Sequence, residues 1–112
     1  MGDLRNLIIL QKMYDFYLWF YPALGRYPKH EKFVLTTQTK ETCLQIMTLI
    51  VKANKVRNRK PVLFEIDTEL EKLRLLVRLA KDLKYLSIKK YGLVSQKLNE
   101  IGRLLGGWMR AS

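Results

Sequence analysis

The chain has 112 residues, of which 48% are hydrophobic and 28% are charged, and its formal net charge at pH 7 is +11. This length suits one domain covering residues 1–112, and the apolar content excludes a disordered tail. So large a positive charge adds self-repulsion, which an anionic partner such as nucleic acid, an acidic membrane surface or an acidic protein face usually relieves. The alternative is a small protein that is simply basic.

Two turn-rich stretches at residues 22–29 and 57–61, with a softer break at 85–87, divide the chain into four segments. The first covers residues 3–24 and repeats apolar residues at steps of three and four, which is typical of an amphipathic helix. We expect its buried stripe to consist of Leu7, Leu10, Tyr14, Tyr17, Tyr21 and Leu24, widened by Phe16, Trp19 and Phe20.

The second segment, residues 30–56, shows the same periodicity, although Thr36–Thr39 is a weak helix former. Its apolar residues are Phe33, Leu44, Met47 and Val51, with Cys43, Ile46 and Ile50 alongside. The single cysteine excludes an intramolecular disulfide, so we expect a core thiol in a protein of the reducing cytoplasm.

The third segment, residues 63–86, has one stripe of Leu63, Ile66, Leu70, Leu73, Val77 and Ala80 and a second of Leu76, Leu79, Leu83 and Leu86. Four acidic residues crowd its start and Lys81 and Lys84 lie near its end, an order that the helix dipole favours. The fourth segment, residues 88–110, has the stripe Tyr91, Val94, Leu98, Ile101, Leu105 and Trp108.

Four helices of similar length with short connections predict an all-α, up-down antiparallel four-helix bundle. Because the apolar stripes exceed what one bundle can bury, the sequence also indicates oligomerisation. The apolar run Leu7–Leu10 is too short for an export signal. The longest uncharged stretches, Phe16–Gly25 and Thr42–Val51, fall short of the ~20 residues of a membrane-spanning helix.

The sequence offers little for catalysis. The single histidine, His30, and the single cysteine cannot form a zinc site, and we expect His30 to be a solvated loop or helix-start residue. The acidic residues of the third segment alternate, which scatters them around a helix. No strand precedes the glycines near the C-terminus, as a phosphate-binding loop would require. We therefore expect neither an enzyme nor a bound metal, cofactor or small-molecule substrate.

Two groups of Lys and Arg residues are candidates for contacts with a binding partner. The connection 52–60 holds five positive charges and no acid, so Lys52, Lys55, Arg57, Arg59 and Lys60 are candidates for phosphate contacts. A solvated linker is an equal alternative. On the third helix, Arg74, Arg78 and Lys81 share one face at spacings of four and three, although an ordinary charged solvent face would look the same.

The C-terminal segment contains Gly102 and Gly106 on one helical face, followed by the large anchor Trp108. A glycine inside a helix costs ~1 kcal/mol relative to alanine, so the pair favours a close approach by another backbone, within the bundle or in an oligomer. The alternative is that Gly106–Gly107 simply ends the helix.

Three stretches together resemble one known family. Tyr21–Pro22, Tyr27–Lys29 and Lys32–Phe33 are similar to the turn after helix one in the accessory variability determinant (Avd) proteins of diversity-generating retroelements. Residues 70–80 resemble their third helix, and residues 101–108, Ile-Gly-Arg-Leu-Leu-Gly-Gly-Trp, resemble their C-terminal signature. The last motif is the most specific, and the resemblance covers nearly the whole chain.

This resemblance implies a four-helix bundle that assembles as a homopentameric barrel and associates with a reverse transcriptase and with RNA or DNA. It implies a non-catalytic role in mutagenic retrohoming, the error-prone copying of a template RNA into cDNA that diversifies a target gene. Carried over by position, Arg74 and Arg78 match a basic pair implicated in engaging the reverse transcriptase, and Lys81 shares their face.

Two alternatives remain at the level of sequence. A stand-alone bundle of the type encoded in ribosomal RNA intervening sequences would have a general RNA-binding or other role, and a neighbouring reverse-transcriptase gene would separate it from an Avd protein. A membrane-surface protein would need a basic face opposite a lipid-facing apolar stripe.

Overall fold

A computed structural model describes residues 4–112, and from Leu7 onward it also places the side chains. The four helices are α1 (Leu4–Gly25), α2 (Leu35–Lys55), α3 (Lys60–Asp82) and α4 (Ile88–Ala111), with a short 3-10 turn at Lys29–Glu31. No strand occurs between residues 4 and 112, which confirms the predicted all-α class. Residue 3, the expected start of the first segment, lies outside the described residues.

Each helix packs against the helices before and after it, and α1 also packs against α4. Among the described residues, no Cα atoms of the diagonal pairs α1–α3 and α2–α4 lie within 8 Å of each other, so the four helices form a square ring around one core. Short connections make successive helices antiparallel, and the bundle measures 42 × 25 × 19 Å. None of the helices in residues 4–112 combines the length and the apolar character that crossing a membrane requires.

The second helix begins at Leu35, five residues later than the sequence indicated, because residues 29–34 form the 3-10 turn and a further turn. The threonines that weaken its helix propensity are accommodated by hydrogen bonds to their own helix. Buried Thr39 donates from Oγ1 to the Leu35 carbonyl oxygen (2.8 Å), and Thr42 donates to that of Gln38 (2.7 Å). These bonds satisfy hydroxyl groups that would otherwise be buried without partners.

The third helix is shifted toward the N-terminus relative to the predicted range 63–86. It begins at Lys60 because Pro61 occupies its first turn, where a proline loses no helical hydrogen bond. It ends at Asp82, and Lys84 adopts a left-handed conformation with φ of 67°. The amide of Tyr85 then donates to the Ala80 carbonyl oxygen (2.8 Å), which closes the helix end.

Because of this shift, the expected favourable interaction between the acidic residues and the helix dipole is not found. The first turn of α3 contains no acidic residue, and the four carboxylates fall in its second and third turns, beyond the reach of the helix terminus. Lys81 does lie in the last turn, as expected, whereas Lys84 lies outside the helix.

The first predicted stripe of α3 and the stripe of α4 are confirmed as core, apart from Tyr91, which is only half-buried. In the second predicted stripe of the third segment, Leu79 and Leu83 are exposed, Leu76 is half-buried, and Leu86 is buried beyond the end of α3. The predicted stripe of α1 is wrong for Leu7, Tyr14 and Tyr21, which are exposed. The prediction is confirmed for Phe16, Phe20 and Leu24, which form the core face together with Ile9, Met13 and Ala23. In α2 the core side chains include Cys43, Ile46 and Ile50, while Phe33, before the helix, and Leu44 and Val51 within it are exposed.

Candidate partner-binding surfaces

Arg74 is held in a defined position between α3 and α4. Its guanidinium is paired with Glu71 one turn earlier, and its Nη2 donates toward the Leu98 carbonyl oxygen of α4 at 3.4 Å. The same Nη2 passes so close to Gly102 that a Cβ there would lie 2.6 Å from it. Gly102 therefore makes room for the arginine side chain, and it does not admit the backbone of another helix within the chain.

Arg78 and Lys81 continue the basic edge of α3 but differ from Arg74 in their surroundings. Arg78 is largely exposed, and its Nε lies 4.0 Å from Asp82 Oδ2. Lys81 Nζ lies 2.8 Å from Asp82 Oδ1 and 5.0 Å from the centroid of the Tyr91 ring. The hydrogen bond from Lys81 lowers the pKa of Asp82, so this carboxylate stays ionised and partly neutralises the edge. Arg78 is thus the most solvent-exposed of the three predicted residues.

An open groove of about 510 Å³ runs between α3 and α4 beside this edge. Its lining contains three guanidinium groups, those of Arg74, Arg103 and Arg110, against one carboxylate, Asp67. Arg103 and Arg110 were not among the predicted binding residues, although their spacing of seven residues places both on one face of α4. The groove therefore extends the predicted basic face from one helix to two.

The glycine-rich end of α4 is continuous helix through Ala111, so Gly106–Gly107 does not end the helix. A Cβ at Gly106 would meet only the Arg110 side chain, at 3.4 Å, so no other helix of the chain approaches it. Trp108 is buried in the core of its own bundle, and its Nε1 has no hydrogen-bond partner. The predicted close backbone approach is therefore absent at Gly102 and Gly106 within one chain.

The predicted phosphate-binding residues occupy the end of the bundle where α2 passes into α3. Lys52 and Lys55 lie in the last turn of α2, Arg57 and Arg59 in the connection, and Lys60 begins α3. Arg59 is half-buried and the other four are exposed, and none forms an ion pair within residues 7–112. Lys60 and Arg74 are about 20 Å apart along the helix axis, so the two basic groups form separate surfaces.

Exposed apolar side chains form a second kind of surface. On α1, Leu7, Tyr14, Leu18 and Tyr21 fall on one helical face, opposite the core. Tyr21 contacts Lys40 of α2, whose Nζ lies 4.5 Å from its ring centroid, and exposed Leu44 and Val51 follow along α2. We call the six exposed residues of these two neighbouring helices the α1–α2 apolar face: Leu7, Tyr14, Leu18, Tyr21, Leu44 and Val51.

A separate apolar patch, the α3 patch, is formed by Leu75 and Leu79 of α3 and by Leu83 just beyond its end, while exposed Phe64 lies about 16 Å away along the helix axis. Between this patch and the α1–α2 apolar face runs the groove of α2 and α3, whose lining includes Gln45, Thr48, Glu69 and Lys72. The molecule thus presents two different apolar surfaces divided by polar side chains.

The remaining candidate groups have ordinary surroundings. His30 is exposed in the 3-10 turn, with Nε2 3.3 Å from the Tyr85 hydroxyl, as predicted for a solvated turn residue. Cys43 is buried, which confirms the prediction of a core thiol, and burial raises its pKa to about 12. Among the described residues, no group of three or more His, Cys, Asp or Glu side chains is placed to hold a metal ion.

Comparison with known proteins gives one result that covers almost the whole fold. The model of a family described as bAvd-like matches residues 7–112, which omits only the first turn of α1 from the four helices. A comparison with curated proteins gives no match.

Proposed function

The chain belongs to the bAvd-like family, and we propose that it is the accessory protein of a diversity-generating retroelement, which binds the reverse transcriptase and nucleic acid during mutagenic retrohoming. Proteins of this type are accessories and not polymerases. The family match over residues 7–112 carries this proposal, and the two basic surfaces of the bundle support it.

The reverse transcriptase is proposed to bind the edge of α3 formed by Arg74, Arg78 and Lys81. A planar guanidinium suits directed contacts to carboxylates and carbonyl groups of a protein partner better than a flexible ammonium does. Arg74 is already oriented by Glu71 and by the Leu98 carbonyl oxygen, so little side-chain freedom is lost when a partner binds. Arg103 and Arg110, across the groove, extend the same surface.

Nucleic acid is proposed to bind the basic end formed by Lys52, Lys55, Arg57, Arg59 and Lys60. Their unpaired charges at one end of the bundle can neutralise phosphates and release counterions. Such contacts carry no sequence information, so binding there is expected to be strong at low salt and nearly indifferent to sequence.

A homopentameric barrel is proposed as the assembled form, with the protein in the cytoplasm. A closed ring needs two different patches on each subunit, since each copy contacts one neighbour with one patch and the next neighbour with the other. The α1–α2 apolar face and the α3 patch meet this requirement, and both consist of large side chains that a monomer leaves in water. Five copies would carry a formal charge of five times +11, or +55.

Co-purification with a reverse transcriptase encoded beside the gene tests the proposal. The parent chain is expected to retain the enzyme, and the Arg74→Gln/Arg78→Gln variant is expected to lose at least tenfold in affinity. The Lys72→Gln/Lys89→Gln variant is the matched control, because it removes two exposed charges elsewhere on α3 and α4. Equal retention by all three chains would contradict the assigned surface. A parent chain that binds RNA and ignores the enzyme would indicate the stand-alone bundle instead.

Gly102→Ala sharpens this test without removing any charge. The new Cβ would displace the Arg74 guanidinium, while alanine favours the helix by up to about 1 kcal/mol. We expect a chain that is at least as stable in thermal unfolding but binds the reverse transcriptase less tightly. Unchanged binding would show that the position of Arg74 does not matter for the partner.

A further inference from the structure

Trp19 brings an aromatic ring and two lysines together where α1 packs against α4. Lys90 Nζ lies 4.1 Å and Lys97 Nζ 4.7 Å from the centroids of the Trp19 rings, and Trp19 itself is half-buried. The ring also packs against Phe16 and Phe20 of its own helix, which limits its movement. Lys90 and Lys97 are two turns apart on α4, about 10 Å along the helix axis.

The two ammonium groups lack the compensation that other charges of the bundle have. Neither Lys90 nor Lys97 forms an ion pair within residues 7–112. Glu100, one turn beyond Lys97, is paired with Lys12, whose Nζ lies 2.7 Å away, and that bond lowers the pKa of Glu100. The ring quadrupole of Trp19 attracts both lysines. Lys97 also lines a small depression with Asp15 and Glu100 and contributes to the lowered pKa of Glu100, so Lys90 carries the less compensated of the two charges.

We propose that Trp19, Lys90 and Lys97 form a binding site for single-stranded nucleic acid, in which the two ammonium groups leave the ring to contact flanking phosphates and an unpaired base stacks on the indole in their place. Stacking on an aromatic side chain together with cationic contacts to the backbone is how sequence-tolerant single-strand sites work. The site rests on the proposed nucleic-acid binding and adds to it a preference for unpaired strands.

The position of the site separates it from the basic end of the bundle. Trp19 lies in the half of α1 near Gly25, and Lys90 lies near the start of α4, whereas residues 52–60 connect α2 to α3 at the opposite end. Bases inside a duplex are already stacked on one another and present no free face, so duplex nucleic acid can use the lysines but not the indole. An acidic protein segment could likewise pair with the lysines, but it would gain little from the indole.

The first test measures binding of the full chain to a fluorescein-labelled oligothymidylate of about 15 nucleotides by fluorescence anisotropy. Trp19→Leu keeps an apolar side chain and removes stacking, so its Kd is expected to rise by roughly fivefold or more. Trp19→Phe keeps an aromatic face and is expected to stay within about twofold of the parent. Binding to a DNA duplex of the same length is expected to be unchanged in both variants.

The second test removes the positive charges of Lys90 and Lys97 and leaves Trp19 unchanged. Lys90→Gln/Lys97→Gln is expected to weaken oligothymidylate binding and to reduce the slope of log Kd against log salt by about 1.4, or about 0.7 for each phosphate contact. Lys72→Gln/Lys89→Gln removes the same charge at two other exposed positions, and its slope is expected to stay near that of the parent. An equal reduction in both double variants would contradict a localised site.

The possible outcomes distinguish a failure of the Trp19 site from a failure of nucleic-acid binding as a whole. A parent chain that binds neither the oligothymidylate nor the duplex would overturn nucleic-acid binding as a whole. A parent chain that binds, with Trp19→Leu and the Lys90/Lys97 variant both equal to it, would overturn the Trp19 site alone. Loss of reverse-transcriptase binding by Trp19→Leu, with unchanged oligothymidylate binding, would assign the surface to the protein partner. If Trp19→Leu fails to fold, the paired lysine variants decide the question.

Discussion

Helices α1 and α4 pack against each other but distribute their apolar residues differently. Along α4, large apolar side chains fall mainly on one face, and that face is the core of the bundle. Along α1 they cover two faces, so that Ile9, Met13, Phe16 and Phe20 are buried while Leu7, Tyr14, Leu18 and Tyr21 remain in water. Apolar periodicity therefore identifies a core face only when a helix has a single apolar face.

The two helices therefore have different roles in the assembly that we propose. The stripe of α4 stabilises the single chain, since all of its members except Tyr91 are almost wholly buried. The second stripe of α1 contributes nothing to the isolated core and is available to a second copy of the chain. Substitutions in the α4 stripe should therefore change the free energy of unfolding, whereas substitutions in the second stripe of α1 should change the mass of the oligomer.

The largest effect is expected from Leu98→Ala in α4. Leu98 is 1% exposed, so truncation leaves a cavity and should lower the free energy of unfolding by about 2–5 kcal/mol. Urea unfolding followed by circular dichroism measures this loss. The matched control is Leu18→Ala on the outer face of α1, where the side chain is 64% exposed and the expected change is below about 0.5 kcal/mol. Equal losses would mean that the outer stripe belongs to the fold of the single chain.

The second prediction concerns assembly. Tyr14→Glu/Leu18→Glu places two charges on the α1–α2 apolar face, so the oligomer is expected to dissociate to smaller species while helix content is retained. Light scattering at micromolar concentration measures the mass. Ile88→Glu, at the exposed start of α4, is the control and is expected to keep the parent mass. A parent chain that is already a stable monomer would refute the proposed assembly.

The same contrast explains which parts of the fold could be predicted from the sequence. The bundle, its four helices and the core stripes of α3 and α4 follow from periodicity, because these helices carry a consistent buried stripe. The core face of α1 was found only in part, through Phe16, Phe20 and Leu24, since Leu7, Tyr14 and Tyr21 repeat as regularly as Ile9, Met13 and Phe16. Only the packing of the other three helices decides which face turns inward.

The candidate sites were predictable to different degrees. The basic residues of 52–60 and the Arg74–Lys81 edge are contiguous or lie on one helix, so their grouping is visible in the sequence. The grouping of Arg74 with Arg103 and Arg110 depends on the pairing of α3 with α4. Trp19 and Lys90 are 71 residues apart and become neighbours only when the first and last helices close the ring.

The smallest effect is expected where α3 ends and the chain turns toward α4. Lys84 adopts φ of 67°, a left-handed conformation that a side chain disfavours and glycine adopts freely. Lys84→Gly relieves this strain, but the more flexible unfolded chain offsets part of the gain, so we expect about 0.5 kcal/mol of added stability. In a domain of this size that corresponds to a rise in Tm of roughly 2–4 °C. Lys84→Ala is the control, since it removes the same charge while keeping a Cβ in the left-handed conformation. A gain as large in Lys84→Ala would attribute the effect to reduced charge repulsion in this +11 chain, and the left-handed turn would then have little cost.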